Sequence, residues 1–292
     1  MTADHRAPVP VLTGAAEFLS RYDVVFCDVW GVVHNGVRAY DAAGDALARF
    51  RKAGGTVVLL SNAPSPSSTV APLLDSKGVR RDAWDALVTS GDITRAYVRK
   101  AGFRRVHHIG EPRDLPVFEG LDTELTTLPA AEAIVCTGLI DDINETGEHY
   151  RPLLLEARER SLPLVCANPD LVVEVGGVLY PCAGAIATIY EDLGGSVFWA
   201  GKPHIAAYET ALNTATQILG RTPARDRILG IGDAIRTDIA GADGFGIDSL
   251  MIAHGIHAAE LLGAGALDEH ALARLVAAPA PRPTAAMPAL AW

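Results

Sequence analysis

The sequence predicts an α/β protein built on a doubly wound parallel sheet, with a second, inserted α/β domain. Three observations predict this. Short apolar runs end in small polar residues and give way to helical patterns, the pace of strand, turn and helix in succession. That rhythm loosens from about residue 103 and resumes near 196. At 292 residues the chain is also too long for one ordinary small domain, which suits a core of 1–102 and 197–292 carrying 103–196 as an insertion.

Taken in order, residues 12–21 read as a short helix capped by Thr13, leading into a strand at 24–28 that delivers Asp28. Asp41 opens a helix with Ala42, Ala46, Leu47 and Phe50 on its apolar positions, and Gly54-Gly55 ends it. Strands follow at 56–60 and 85–88, each trailed by a polar turn and a helix. In the looser section the expected strands are 105–109, 133–137 and 163–166, with helices over 145–160 and 183–193 and a turn at Gly176-Gly177. The first rhythm then returns with strands at 196–200, 227–231 and 247–252. The Ala- and Pro-rich end, 277–292, reads as loose, with Trp292 able to dock on a surface.

Composition narrows the function. Hydrophobic residues at 49% supply a packed core, and 25 basic against 35 acidic residues give a net charge of −10, which disfavours nucleic acid and anionic membrane partners. Arg80-Arg81 and Arg104-Arg105 are pairs, not basic stripes. Cys27, Cys136, Cys166 and Cys182 are far apart with no Cys-x-x-Cys spacing, so reduced core thiols are expected and zinc is not. The N-terminus lacks the apolar run of a signal peptide and no stretch approaches a membrane span, so the expected location is cytoplasmic.

In a parallel sheet, residues that follow strands converge on one edge. Asp28, Ser61, Lys202 and Asp233 all do so. A carboxylate nucleophile, a hydroxyl, an ammonium and a further pair of carboxylates, Asp233 and Asp238, together describe phosphoryl transfer through an aspartyl-phosphate. Asp28 and Asp233 offer the hard oxygens that suit Mg2+, Lys202 neutralises charge on the transferring group, and Ser61 donates a hydrogen bond to it. Asn62, beside Ser61, is counted with Ser61 and Lys202 as a phosphate contact.

Four stretches, DVWG at 28–31, LLSNAP at 59–64, GKP at 201–203 and GIGDAIRTDIAGA at 230–242, resemble the ordered motifs of the haloacid dehalogenase superfamily. The insertion, with TSG at 89–91, ANPD at 167–170 and GGVLYPCAG at 176–184, resembles its class IIA, NagD-like or nitrophenylphosphatase branch. The resemblance implies a Rossmann-like core, a cap domain that closes over a small phosphorylated metabolite, and a homodimer through that cap. It implies Asp28 as nucleophile, Ser61 as phosphate donor, Lys202 as charge clamp, Asp233 as direct Mg2+ ligand, Asp238 as its supporting carboxylate, and the main-chain carbonyl of residue 30 as a further ligand.

The departure is Trp30. Phosphatases of the superfamily carry a second Asp there, which protonates the leaving oxygen and then activates water, a contribution of roughly 10²- to 10⁴-fold. Three readings follow: a phosphatase weakened for poor leaving groups, a phosphate-ligand-binding or regulatory protein, and a carbon–halogen hydrolase. The retained GDxxxTD carboxylates at 232–238 count against the last. His34 is a candidate replacement acid as well as a candidate for loop packing. Lys202 also fits a solvated turn, and Asp238 a helix cap. His107 and His108, adjacent on a strand, point to opposite faces and so do not share a metal. Asn168 and Asp170 fit either a substrate contact or a simple Asn-Pro-Asp turn.

Overall fold

The structure, a computed structural model, describes residues 7–175, 178–263 and 266–292. They form two compact units: the chain up to Ser61 with Pro72–Leu87 and Tyr208–Trp292, and Asn62–Ala71 with Val88–Ala207.

The first unit is organised around a six-stranded sheet. Its order is Ala285–Met287, Asp248–Ile252, Ile228–Gly232, Val24–Cys27, Thr56–Ser61, Ala86–Thr89. Val24–Cys27, Thr56–Ser61 and Ile228–Gly232 are buried along their whole length, which is why they read as continuous apolar runs with no alternation. The central strand pairs in parallel with both neighbours, Cys27 lying opposite Ile231 on one side and Leu59 on the other. One residue further along, Asp28 therefore stands level with Gly232 and Leu60, and Asp233 and Ser61 follow immediately. The helix Asp41–Lys52 turns Ala43, Ala46, Leu47 and Phe50 to the core and ends before Gly54, whose φ of +98° suits glycine.

The second unit has its own five-stranded parallel sheet, ordered Val197–Trp199, Leu164–Cys166, Ala133–Cys136, Arg105–Ile109, Glu124–Leu125. Ile134, Leu154, Leu164, Ile186 and Tyr190 fill its core. An antiparallel hairpin, Val172–Val175 with Val178–Pro181, adds a two-stranded sheet. The expected Gly176-Gly177 turn lies outside the described residues. Helix Ser90–Ala101 starts from a capping box, in which the Thr89 hydroxyl accepts from Asp92 N–H at 3.1 Å while the Asp92 carboxylate accepts from Thr89 N–H at 3.4 Å.

Several elements differ from expectation. The first helix is only Ala16–Leu19, with Ala15 at its N-cap and no side-chain cap, so Thr13 plays no capping part. The expected helix at 145–160 opens as a 3₁₀ turn, Gly147–Tyr150, before Arg151–Glu159 becomes α-helical. The C-terminal segment is not loose. Ala285–Met287 pairs in parallel with Asp248–Ile252, Ala286 N–H donates to Pro10 O at 2.9 Å, and Ala15 N–H donates to Ala291 O at 2.9 Å. A three-residue strand, two alanines and a methionine, is too short for periodicity to reveal, yet it covers an otherwise bare sheet edge.

All four cysteines are buried free thiols. Among the described residues no helix is long and apolar enough to cross a membrane.

Candidate active site

Asp28 leaves the central strand with its N–H donated to Ile231 O at 2.8 Å. Asp233 leaves the adjacent strand. Asp238 arrives by a different route: Ile235–Ile239 is a single π-helical turn ahead of the helix Ala240–Phe245, and the wider turn carries Asp238 back to the strand end. The three side chains, all buried, offer carboxylate oxygens within 4.8 Å of one another. Three like charges gathered out of water repel unless a cation or a proton compensates. Hard oxygen donors at this spacing fit a divalent metal of the magnesium or calcium kind, and the absence of thiolate or imidazole from the set disfavours a softer ion.

The backbone around these carboxylates is fitted to them. Asp233 Oδ2 accepts from Ile256 N–H at 2.7 Å. A Cβ placed on Gly31, where φ is +86°, would lie 2.3 Å from that oxygen, and one on Gly255 would lie 2.0 Å from it. Asp233 is thus pressed between two glycines. Asp238 Oδ2 accepts from Ala234 N–H at 3.1 Å, and a Cβ on Gly232 would lie 2.1 Å from the Asp238 Cβ. Asp238 therefore sits inside the π turn, whose N-cap is Ala234, and is not a helix cap. The Tyr208 hydroxyl donates to Asp238 O at 3.1 Å and fixes the turn from the other side. Sequence reasoning missed Tyr208, Gly255 and Ile256; only Gly31, inside the DVWG stretch, carried a signal.

Trp30 packs into its own loop. A Cβ on Gly36, where φ is +85°, would lie 2.5 Å from the indole, and the ring meets His34 edge-on with centroids 5.2 Å apart. His34 is buried, and its Nδ1 accepts from Gly36 N–H at 2.8 Å. Burial, helped by the Lys77 ammonium, brings its pKa down to about 4, so at neutral pH the ring holds no spare proton. His34 thus follows the loop-packing alternative. The same loop is tied down by Ala39 N–H donating to Lys77 O at 2.9 Å and by the Lys77 ammonium on Gly36 O.

Ser61 ends its strand as a buried hydroxyl. Lys202 does not follow a strand of the sheet that carries Asp28, Ser61 and Asp233, contrary to expectation. Val197–Trp199, just ahead of it, is the edge strand of the second unit's sheet, and there Lys202 is only 3% exposed, which rules out the solvated-turn reading. The Asn62 carboxamide holds its main chain: Lys202 N–H donates to Asn62 Oδ1 at 2.8 Å, and Asn62 Nδ2 donates to Lys202 O at 3.1 Å. The same Nδ2 donates to Asp170 Oδ1 at 2.9 Å, and Ser90 Oγ approaches Asn62 Oδ1 at 3.5 Å. His107 and His108 do take separate partners, Thr126 O and Thr137 Oγ1.

Comparisons with known proteins point to one family. Residues 25–124 match the family described as haloacid dehalogenase-like hydrolase, and residues 199–278 match a HAD-hydrolase-like family. The crystal structure of a haloacid dehalogenase-like hydrolase from Brucella suis 1330 is 45% identical over 96% of this chain and 100% of that one, with a TM-score of 0.84. Ribonucleotide monophosphatase NagD of Escherichia coli (strain K12) is 25% identical over 235 residues, 80% of this chain and 88% of NagD. A glycerol phosphate phosphatase from Mycobacterium tuberculosis, solved in complex with calcium, shares the fold at a TM-score of 0.66 and 22% identity, covering 92% of this chain and 73% of that one.

Proposed function

This chain belongs to the haloacid dehalogenase-like hydrolase family, on its NagD-like branch, and on that premise we propose that it hydrolyses a small phosphate monoester through an aspartyl-phosphate on Asp28. The observation that carries this reading is the buried set Asp28, Asp233 and Asp238, an oxygen-rich site beside a carboxylate able to attack phosphorus. NagD and the glycerol phosphate phosphatase, by their names, act on small phosphorylated compounds.

Asp28, Asp233 and the main-chain carbonyl of Trp30 would hold Mg2+ directly, with Asp238 behind them; the ion would neutralise charge on the phosphoryl oxygens. Asp28 Oδ attacks phosphorus, the ester P–O bond breaks, and the leaving group departs with its electron pair. Water then attacks the same phosphorus, the bond between phosphorus and Asp28 Oδ breaks, and inorganic phosphate leaves with the Asp28 carboxylate restored and a proton of the water passed to solvent. Ser61 and Lys202 stabilise the equatorial oxygens by a hydrogen bond and a charge. Trp30 supplies no proton to the departing oxygen, so esters of acidic alcohols and phenols react best. Residues 103–196 take the part of the substrate-selecting cap.

The test is Asp28→Asn with p-nitrophenyl phosphate and Mg2+, whose leaving group hardly needs an acid. Turnover should fall by about 10³-fold or more, and wild-type protein quenched in acid should carry phosphate on Asp28. Unchanged turnover in the variant defeats the nucleophile assignment. Tight phosphate binding with no product from the wild type would favour a ligand-binding protein on the same fold.

A further inference from the structure

We infer that Asn62 and Asp170 are positioning residues for Lys202, with the Asn62 carboxamide serving the lysine main chain in place of the substrate phosphate. The inference rests on the reading of Lys202 as the charge clamp. A carboxamide has two N–H donors and two acceptor lone pairs. Both Asn62 donors are engaged, one with Lys202 O at 3.1 Å and one with Asp170 Oδ1 at 2.9 Å. Its oxygen accepts from Lys202 N–H at 2.8 Å and is approached by Ser90 Oγ at 3.5 Å. No side-chain donor is left for a phosphate oxygen.

The orientation of the amide is determined by its partners. Lys202 N–H can only donate, and Lys202 O and an ionised Asp170 can only accept. A flipped carboxamide would set its oxygen against two oxygens and its NH2 group against an N–H. Asp170 therefore selects the one orientation in which Asn62 matches both main-chain groups of Lys202, as a neighbouring strand would.

The elements carrying these groups are closely fitted. A Cβ on Gly201 would lie 2.2 Å from Ser90 Oγ, 2.4 Å from Asn62 Oδ1 and 2.8 Å from Pro169 Cδ, so only glycine lets the lysine turn come this near. Asp170 is itself fixed: its N–H donates to Asn168 Oδ1 at 3.1 Å, and its carbonyl accepts from Gly184 N–H at 3.2 Å. A Cβ on Gly184 would lie 2.3 Å from Pro169 O and 2.5 Å from Asp170 O. The Asn-Pro-Asp turn thus has a task beyond turning the chain. It holds a carboxylate where the amide beside Ser61 needs one.

Inorganic phosphate, titrated calorimetrically into Mg2+-loaded protein, is the probe, with kcat and KM on p-nitrophenyl phosphate beside it. Lys202→Ala should weaken phosphate binding about 10-fold or more. Asp170→Ala should lower kcat about 10-fold with KM nearly unchanged, and weaken phosphate binding about 5-fold, although removing a negative charge would by itself favour the anion. Asp170→Asn, whose Oδ1 can accept the same N–H, should recover most of that loss. In the Lys202→Ala background Asp170→Ala should cost phosphate affinity nothing more. Equal losses in both backgrounds, or phosphate binding that Asp170→Ala leaves unchanged or tightens, overturn the inference while the lysine reading stands. Unaltered phosphate binding in Lys202→Ala overturns the lysine reading and this inference with it. If Asp170→Ala shows no cooperative melting transition, Asn62→Asp decides: adding Asp170→Asn should restore phosphate binding by at least 3-fold, and no recovery overturns the inference.

Discussion

Asp233 Oδ2 accepts a 2.7 Å hydrogen bond from Ile256 N–H, and the α-carbon of Gly255 lies against the same carboxylate. One oxygen of the Asp233 carboxylate is thereby fixed by the backbone of a loop further along the chain. Gly255→Ala should push Asp233 away, because its Cβ would fall 2.0 Å from that oxygen. The expected result is metal activation weakened by about 10- to 100-fold, the usual cost of disturbing a ligand's support. Activity titrated against Mg2+ measures it, and an unchanged half-saturation value would separate Gly255 from the site.

Metal removal should be equally telling. Protein stripped with a chelator should lose turnover of p-nitrophenyl phosphate and regain it with Mg2+. Calcium, larger and less exacting in geometry, should compete for the carboxylates without restoring the rate. Full activity in chelator would contradict a metal role for Asp28, Asp233 and Asp238.

Trp30→Asp should raise the rate on alkyl phosphates relative to p-nitrophenyl phosphate, by about 10-fold or more, since only the alkyl esters need their leaving oxygen protonated. The change also removes the indole from His34 and Gly36, and about 1 kcal/mol of stability should go with the ring contact. The ratio of the two rates is the measurement. An equal loss on both esters would show Trp30 to be needed for packing alone.

His108 bears on acid stability. Burial and the neighbouring His107 push its pKa down to about 4 from an ordinary 6.5. Above pH 6.5 the ring is neutral folded or unfolded; between 6.5 and 4 the unfolded chain binds a proton that the folded one refuses, so stability falls as pH falls through that window. With allowance for partial exposure the loss is about 2 kcal/mol. His108→Gln, which can keep the bond to Thr137 Oγ1, should melt with a flatter dependence on pH between 7 and 4.5. An identical slope would assign the acid sensitivity elsewhere.

Much of this was legible because a buried strand ending in a carboxylate announces itself. Val24–Cys27 and Ile228–Gly232 are unbroken apolar runs, and parallel pairing alone brings Asp28 and Asp233 to one edge. Asp238 was legible as a residue, while the π turn that returns it to that edge was not, since one extra residue per turn leaves no mark on local pattern. Gly255 and Ile256 could not be found by spacing, because they act through backbone atoms. The engagement of Asn62 was hidden for a related reason: its partner is the main chain of a residue 140 positions away. The strand Ala285–Met287 was hidden by its length.

That last strand has a mechanical consequence. Val11 bridges Ala286 in parallel, Leu12 N–H donates to Ala286 O at 2.8 Å, and Ala286 N–H donates to Pro10 O at 2.9 Å. Tension applied in opposite directions to the first and last segments would draw two parallel strands past each other. These bonds then share the load in shear and do not open one by one. Under force the clasp between the two segments must slip before the sheet behind it is disturbed, which makes the least conspicuous strand the first element to resist.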